Sequence, residues 1–146
     1  MCKDGWTDIG DRCIGNSGII RDRWDDGTFG AVRSCLNLDS EVVSWNSFAE
    51  WLKISIIIRE DYVVNDYIDS GIYITDYWTG ANRYFGSEWE FYDDDTNYNR
   101  GQVPMDYGWE EGHKGGECSY INGVDGKLHL SFVNNGNNIY CLKIIF

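Results

Sequence analysis

The sequence has few of the residues on which metal sites and nucleophilic catalysis depend. It contains two histidines, one proline and five cysteines, and no pair of cysteines has the Cys-x-x-Cys spacing of a zinc or redox site. The histidines, His113 and His129, fall in separate predicted elements, so neither forms a recognisable dyad with a nucleophile. We therefore predict that the protein is not an enzyme, and a hydrolase is the least supported function.

Basic residues and long apolar runs are also scarce. The chain has 12 Lys and Arg against 24 Asp and Glu, which gives a formal net charge of −12. Such an acidic balance disfavours binding to nucleic acid and to anionic membrane surfaces. The longest apolar run, Ile54 to Ile58, is much too short for a membrane span. We expect neither a nucleic-acid partner nor a membrane span.

Aromatic residues, by contrast, are abundant. The 146 residues include seven Trp, ten Tyr and six Phe, and 42% of the chain is hydrophobic. This length and composition predict one domain, residues 1–146, with a substantial aromatic core. Five cysteines in such a domain indicate an oxidising compartment, so a secreted or extracellular location is expected.

Two segments have helical spacing. The first follows an N-cap at Asp25-Asp26, and the second begins with the capping box Ser47-Phe48-Ala49-Glu50. The apolar positions assigned to the buried faces of the two helices are Phe29, Val32, Cys35 and Leu36, then Phe48, Trp51 and Leu52.

Short strand patterns account for most of the remaining chain. The central one, residues 71–81, alternates apolar and polar side chains and ends near Gly80. The other strands are predicted in a hairpin at 5–14 and at 41–45, 87–92, 118–121, 128–132 and 139–145. Two helices among many short strands indicate an α+β domain. Residues 82–116 are long, polar and acidic, and such a loop on a rigid sheet commonly carries binding.

The order of these pieces resembles C-type lectin-like domains. The segments that carry the resemblance are Cys2 to Trp6, Cys13, Ala31 to Cys35, Trp78 to Gly80, Trp89 to Phe91, Glu117-Cys118 and Tyr140-Cys141. The resemblance covers nearly the whole chain. It implies a C-type lectin-like fold with two helices, short antiparallel sheets and a long irregular loop region.

The resemblance also implies a set of disulfides. Cys2 would pair with Cys13, and Cys35 with Cys141. The position that should pair with Cys118 holds Val133 instead. Cys118 is therefore expected to form no disulfide within the domain and to be a buried thiol. A link to a second copy, and hence a homodimer, is the alternative.

The family's calcium-binding and sugar-binding motifs are altered. Members that bind sugar carry Glu-Pro-Asn or Gln-Pro-Asp around a cis proline, whereas Pro104 lies between Val103 and Met105. The strand that usually reads Trp-Asn-Asp reads Leu128-His129-Leu130, where His129 is expected to be a surface residue of the strand. Because Ca²⁺ takes about six to eight oxygen ligands, the primary site is expected to be absent, and no cofactor is expected. Pro104 is still expected to be cis.

Two weaker calcium hypotheses remain. A shifted site would use Gln102 and Asp106, which makes a calcium-dependent lectin the alternative function. A secondary structural site would draw on Asp93, Asp94, Asp95, Asp106 and Glu117, although a solvated acidic loop explains that cluster better.

The function predicted is an extracellular binding module that recognises a glycan or a protein through the long loop, without calcium. Trp109 is the expected apolar anchor, with packing inside the loop as the equal alternative. A structural protein or one that contacts mineral or ice is the alternative of another class. The predicted contact residues are Arg100, Gln102, Asp106, Tyr107, Trp109 and Glu110.

Overall fold

The computed structural model describes residues 2–10, 12–16, 30–65, 76–83, 88–93, 98–110, 117–131 and 138–144. The elements, in chain order, are β1 Trp6–Asp8, β2 Arg12–Asn16, α1 Ala31–Leu36, β3 Glu41–Val42, α2 Phe48–Asn65, β4 Asp76–Asn82, β5 Glu90–Asp93, β6 Tyr98–Gln102, β7 Cys118–Asn122, β8 Leu128–Ser131 and β9 Asn138–Ile144. This is the α+β arrangement of two helices and short, mostly antiparallel strands that the sequence predicts. Neither helix is long and apolar enough to cross a membrane.

The strands form one connected sheet in the order β1-β2-β9-β4-β5-β6. β9 joins the two halves, because it pairs antiparallel with β2 and parallel with β4. β3 also pairs with β9, while β7 pairs with β4 and with β8. The described part of the long region after β4 contributes two strands, β5 and β6, to this sheet.

β4 divides the interior into two hydrophobic clusters. Tyr77 and Trp78 are both fully buried, and because successive side chains of a strand point to opposite faces, they enter different clusters. Tyr77 packs with α2, Ile121 and Leu128, whereas Trp78 packs with α1 and Cys118. Only 76–81 of the predicted central strand can be compared, since residues 71–75 lie outside the described ranges.

Helix α1 is confirmed in part. It spans Ala31–Leu36 after Gly30, and Ala31 and Cys35 are fully buried. Leu36 is exposed instead, so its assignment to the buried face was wrong; the short helix turns it away from the sheet. Asp25-Asp26 and Phe29 fall outside the described residues.

Helix α2 starts as predicted but buries a different stripe. The Glu50 amide donates to Ser47 Oγ at 3.1 Å, which is half of the capping box. Of the predicted stripe only Trp51 is buried, while Phe48 and Leu52 are 51% and 44% exposed. The packed face continues from Trp51 to two fully buried isoleucines one and two turns later, Ile54 and Ile58. Because α2 is apolar on both faces, periodicity alone did not select the buried one.

The cysteines agree with the resemblance as far as they are described. Cys2 and Cys13 form a disulfide across the β1-β2 hairpin, with Cα atoms 5.8 Å apart. Cys35 is disulfide-bonded, while Cys118 is a fully buried thiol. The side chain of Cys141 is outside the described set, so the Cys35–Cys141 pairing stays a prediction.

Candidate functional site

The segment 103–110 is fixed to the sheet rather than free in solvent. The Val103 amide donates to the Trp89 carbonyl at 3.0 Å. At the other end, the Leu128 amide donates to Gly108 O at 2.7 Å and the Glu110 amide donates to Leu128 O at 3.0 Å. These bonds place residues 108–110 beside β8.

Side-chain packing also holds this segment against α2. Gly108 has φ +86°, and a Cβ atom built there would lie 2.9 Å from the Trp51 ring. Glycine is thus required both for its backbone conformation and for close approach. The neighbouring Tyr107 ring meets Phe48 edge-on, with centroids 5.0 Å apart. Phe48 thus packs against the loop rather than in the core.

Trp109 is half-buried and part of the loop packing. Its ring lies 4.9 Å from the Trp89 ring in an edge-to-face arrangement, and its Nε1 donates to the Pro104 carbonyl at 3.3 Å. The guanidinium of Arg83 covers the Trp89 ring at 5.3 Å. The exposed part of Trp109 therefore belongs to a packed aromatic pair.

The other predicted contact residues are distributed around this pair. Gln102 and Asp106 are exposed, and Gln102 Nε2 lies 3.5 Å from Glu88 Oε2. Arg100 lies on β6, but its side chain is not among those described. β6 itself is a strand that the sequence analysis missed; it pairs with β5 and brings Gln102 opposite Glu90.

Three polar side chains converge at the end of this segment. Glu110 Oε2 lies 2.7 Å from His129 Nδ1, and Asp125 Oδ2 lies 2.9 Å from His129 Nε2. When both ring nitrogens are protonated, the ring donates to both carboxylates. The imidazole also stacks on Tyr120, with centroids 5.2 Å apart and planes 7° apart. The result is a positioned charged cluster in which two carboxylates remain partly exposed.

Asp125 and His129 are absent from the predicted contact set, although the sequence holds a signal for them. His129 lies between Leu128 and Leu130 on a strand, so it must point away from the core that buries Leu128. Asp125 lies in the turn before β8, where its Oδ1 accepts from the Lys127 amide at 2.8 Å. The proximity of Glu110 depends on the backbone bridge to Leu128, which no local pattern reveals.

The electrostatics of the cluster affect its tyrosine neighbour. Burial raises the pKa of Tyr120 to about 12, and the carboxylates of Asp76, Glu110 and Asp125 act in the same direction. The pKa of Tyr107 is also raised, first by burial and then by Asp106. Both phenols thus stay neutral hydrogen-bonding groups well into alkaline solution.

We expect Tyr120 to be the late step in an alkaline absorbance titration of the folded protein. Its folded pKa, about 12, lies above the ordinary value of about 10. Tyr120 therefore favours folding below about pH 10, and this contribution is lost as the pH rises towards 12. Tyr120→Phe should remove the late step and flatten the loss of stability in that range. An unchanged late step in Tyr120→Phe would contradict the assignment; titration in denaturant is the control.

The calcium site implied by the resemblance does not fit these residues. Val103 and Leu128 are buried and apolar, so they offer no side-chain oxygen at positions where the family has ligands. The peptide bond before Pro104 is trans, so the prediction of a cis bond was wrong. The trans form is the intrinsically favoured one, and no ligand pair flanks Pro104 here to require the other.

The charged cluster does not replace that site. Within the described ranges, Glu110, Asp125 and His129 form the one group of three potential metal ligands, with ligand atoms within 4.8 Å of one another. One nitrogen and two carboxylates fall far short of the oxygen-rich shell of Ca²⁺. Asp106 is exposed and Glu117 half-buried, and neither belongs to the group. Asp94, Asp95 and the side chain of Asp93 lie outside the described part of the chain.

Neither protein-family models nor curated proteins match the sequence, but solved structures do. Human lithostathine is 19% identical, with 98% of this chain and 99% of that chain covered and a TM-score of 0.71. A mouse scavenger receptor C-type lectin carbohydrate-recognition domain is 21% identical, covering 99% and 98% with a TM-score of 0.68. A calcium-independent type II antifreeze protein is 20% identical, covering 100% and 96% with a TM-score of 0.67. The chain has a C-type lectin-like fold, as the resemblance predicts.

Proposed function

We propose that the protein is an extracellular lectin-like binding module that recognises a glycan without calcium. Its contact surface, the loop face, comprises the predicted residues together with two from the charged cluster. The residues of the loop face are Arg100, Gln102, Asp106, Tyr107, Trp109, Glu110, Asp125 and His129. The observation that carries the proposal is the Glu110–His129–Asp125 cluster beside the packed Trp89–Trp109 pair.

The chemistry of the loop face suits a sugar ring. Carboxylate oxygens accept hydrogen bonds from hydroxyl groups, and here the imidazole of His129 and the β8 backbone already fix Glu110. The half-buried ring of Trp109 offers an apolar surface to the C–H face of a sugar. Because these groups already contact one another without a ligand, association requires less side-chain ordering than it would for isolated side chains.

Two further observations support an extracellular location and recognition of a glycan without calcium. The Cys2–Cys13 disulfide is typical of proteins from oxidising compartments. The similar structures include a carbohydrate-recognition domain and a calcium-independent protein. A protein ligand on the same loop face is the second form of the proposal, because the fold alone does not select between ligand classes.

A glycan array probed in millimolar Ca²⁺ and again in chelator tests this function. We expect the same glycans to bind in both conditions. Glu110→Gln should weaken binding by about tenfold or more, equivalent to about 1.4 kcal/mol, because it removes the charge that holds His129. The matched control is Asp4→Asn, an exposed carboxylate beside β1 at the opposite edge of the sheet; it should leave binding unchanged.

Three outcomes would contradict this form of the proposal. Binding that requires Ca²⁺ and disappears in Asp106→Asn would establish the calcium-dependent alternative with shifted ligands. An array with no bound glycan would reject a glycan ligand. Thermal hysteresis in freezing solutions, unaffected by Glu110→Gln, would instead favour the ice-contacting alternative.

A further inference from the structure

Helix α2 presents an apolar surface to solvent as well as to the core. Trp51, Ile54 and Ile58 are buried under the sheet. On the outer side, Ile56 and Val63 are 53% and 73% exposed. The helix thus exposes apolar side chains on its outer side as well as burying others against the sheet.

The outer side of α2 also borders a groove. A cavity of about 500 Å³ lies between the helix and the turn before β8. Ile56, Tyr62 and Val63 line it on the helix side, and Val124, which is 57% exposed, lines it on the turn side. The α2 seam is defined here as Ile56, Arg59, Glu60 and Val63.

The order of side chains in the α2 seam is symmetric in chemical type. Its residues fall at positions i, i+3, i+4 and i+7, which share one face of a helix. Read in either direction, the seam is apolar, charged, charged, apolar, and the two charges have opposite signs. Two such helices can pack antiparallel with a two-fold axis that passes between Arg59 and Glu60. Each Arg59 then faces the partner's Glu60, and each Ile56 faces the partner's Val63.

We propose that the occupant of the α2 seam is a second copy of this chain, and that the protein forms an isologous dimer through α2. Isologous contacts require self-complementary surfaces, which the seam supplies. The seam also carries no net charge although the chain carries −12, so the seam itself adds no repulsion between two acidic copies. At 18 residues, α2 is about 27 Å long, enough for a helix pair.

The charges of the seam are placed for contact with a partner. The aliphatic part of Arg59 lies against Gly126, which supports its guanidinium at the edge of the groove. Arg59 and Glu60 are both exposed. The adjacent Asp61 is directed inward instead, where it accepts a hydrogen bond from the Tyr77 hydroxyl at 2.7 Å.

Sedimentation velocity over a range of micromolar concentrations tests the dimer. We expect the wild type to sediment as a dimer, and Ile56→Glu or Val63→Glu to be monomeric over the same range. Arg59→Glu and Glu60→Arg should each weaken dimerisation at least tenfold, because each places like charges opposite one another. The double variant, Arg59→Glu with Glu60→Arg, should restore it. Leu38→Glu, at a site 41% exposed after α1, is the control and should leave the mass unchanged.

Several results would overturn the proposal. A wild-type monomer across the range would refute the dimer. A dimer that survives Ile56→Glu and Val63→Glu, both checked by circular dichroism, would place the contact elsewhere. A dimer that dissociates only in reductant would indicate an intermolecular disulfide through Cys118. A double charge reversal that fails to restore association would refute the antiparallel register. The α2 seam and the loop face share no residue, so the monomeric variants should still bind glycan. A failed dimer test and a failed glycan test can therefore be told apart.

Discussion

Replacing Arg12 by alanine is expected to destabilise the protein by about 3–5 kcal/mol. Arg12 is 3% exposed and connects β2 to the segment that precedes α2. Its Nη1 donates to Glu41 Oε1 and to Ser44 Oγ, each at 2.9 Å. Its Nη2 donates to the Ser44 carbonyl at 2.7 Å and to Glu50. Without the guanidinium, Glu50 is a buried carboxylate that has lost its cation.

Denaturant unfolding followed by tryptophan fluorescence measures this loss. The informative control is the double variant Arg12→Met with Glu50→Gln, in which no buried charge remains. It should be more stable than Arg12→Ala, since replacing both partners avoids the uncompensated charge. A loss below about 1 kcal/mol for Arg12→Ala, the range of exposed ion pairs, would show that the pair is effectively solvated.

The second large effect is expected for Trp45→Ala, again a loss of about 3–5 kcal/mol. Trp45 is 2% exposed and lies between α2 and the sheet. Its ring centroid is 4.8 Å from that of Trp51 and 4.8 Å from that of Phe91. Truncation removes both aromatic contacts and leaves a cavity. This cavity lies beneath the loop face, because Trp45 packs against Trp51 and Gly108 in turn lies against the Trp51 ring.

Trp45→Phe separates cavity formation from aromatic contact. It retains a ring against Trp51 and Phe91, so we expect a clearly smaller loss of stability than for alanine. Both variants are compared by denaturant unfolding, with the slope of the transition used to check two-state behaviour. Equal losses for phenylalanine and alanine would mean that the indole itself, rather than the filled volume, is required at this position.

The sequence predicts the strands better than it predicts which faces of the helices are buried. The β1-β2 hairpin, β4 and the last three strands follow from alternation and turn residues. Phe48 and Leu52 were assigned to the wrong face because α2 carries apolar residues on its outer side as well as its inner side, and only the sheet determines which side packs. β6 was missed because its segment, Tyr98–Gln102, is polar and lacks the alternation of apolar and polar residues that predicts a strand.

The candidate site, too, was predicted only in part from the sequence. The long loop after β4 is predicted from the length and polarity of its segment. The loss of the calcium motif is predicted from single residues, Val103 and Leu128 among them. The cluster of Glu110, Asp125 and His129 is not, because its members come from two segments joined by a backbone bridge. Local sequence patterns identify surface residues, but only the register between the loop and β8 shows that these three meet.

Calorimetric titration of the protein with Ca²⁺, combined with thermal melting in calcium and in chelator, tests most directly the claim that the loop face works without calcium. A ligand that binds only the folded state raises stability in proportion to ln(1 + [L]/Kd). We predict no binding heat and the same melting temperature in both solutions. Saturable heat together with a rise of many degrees in millimolar Ca²⁺, both abolished by Asp106→Asn, would contradict the account.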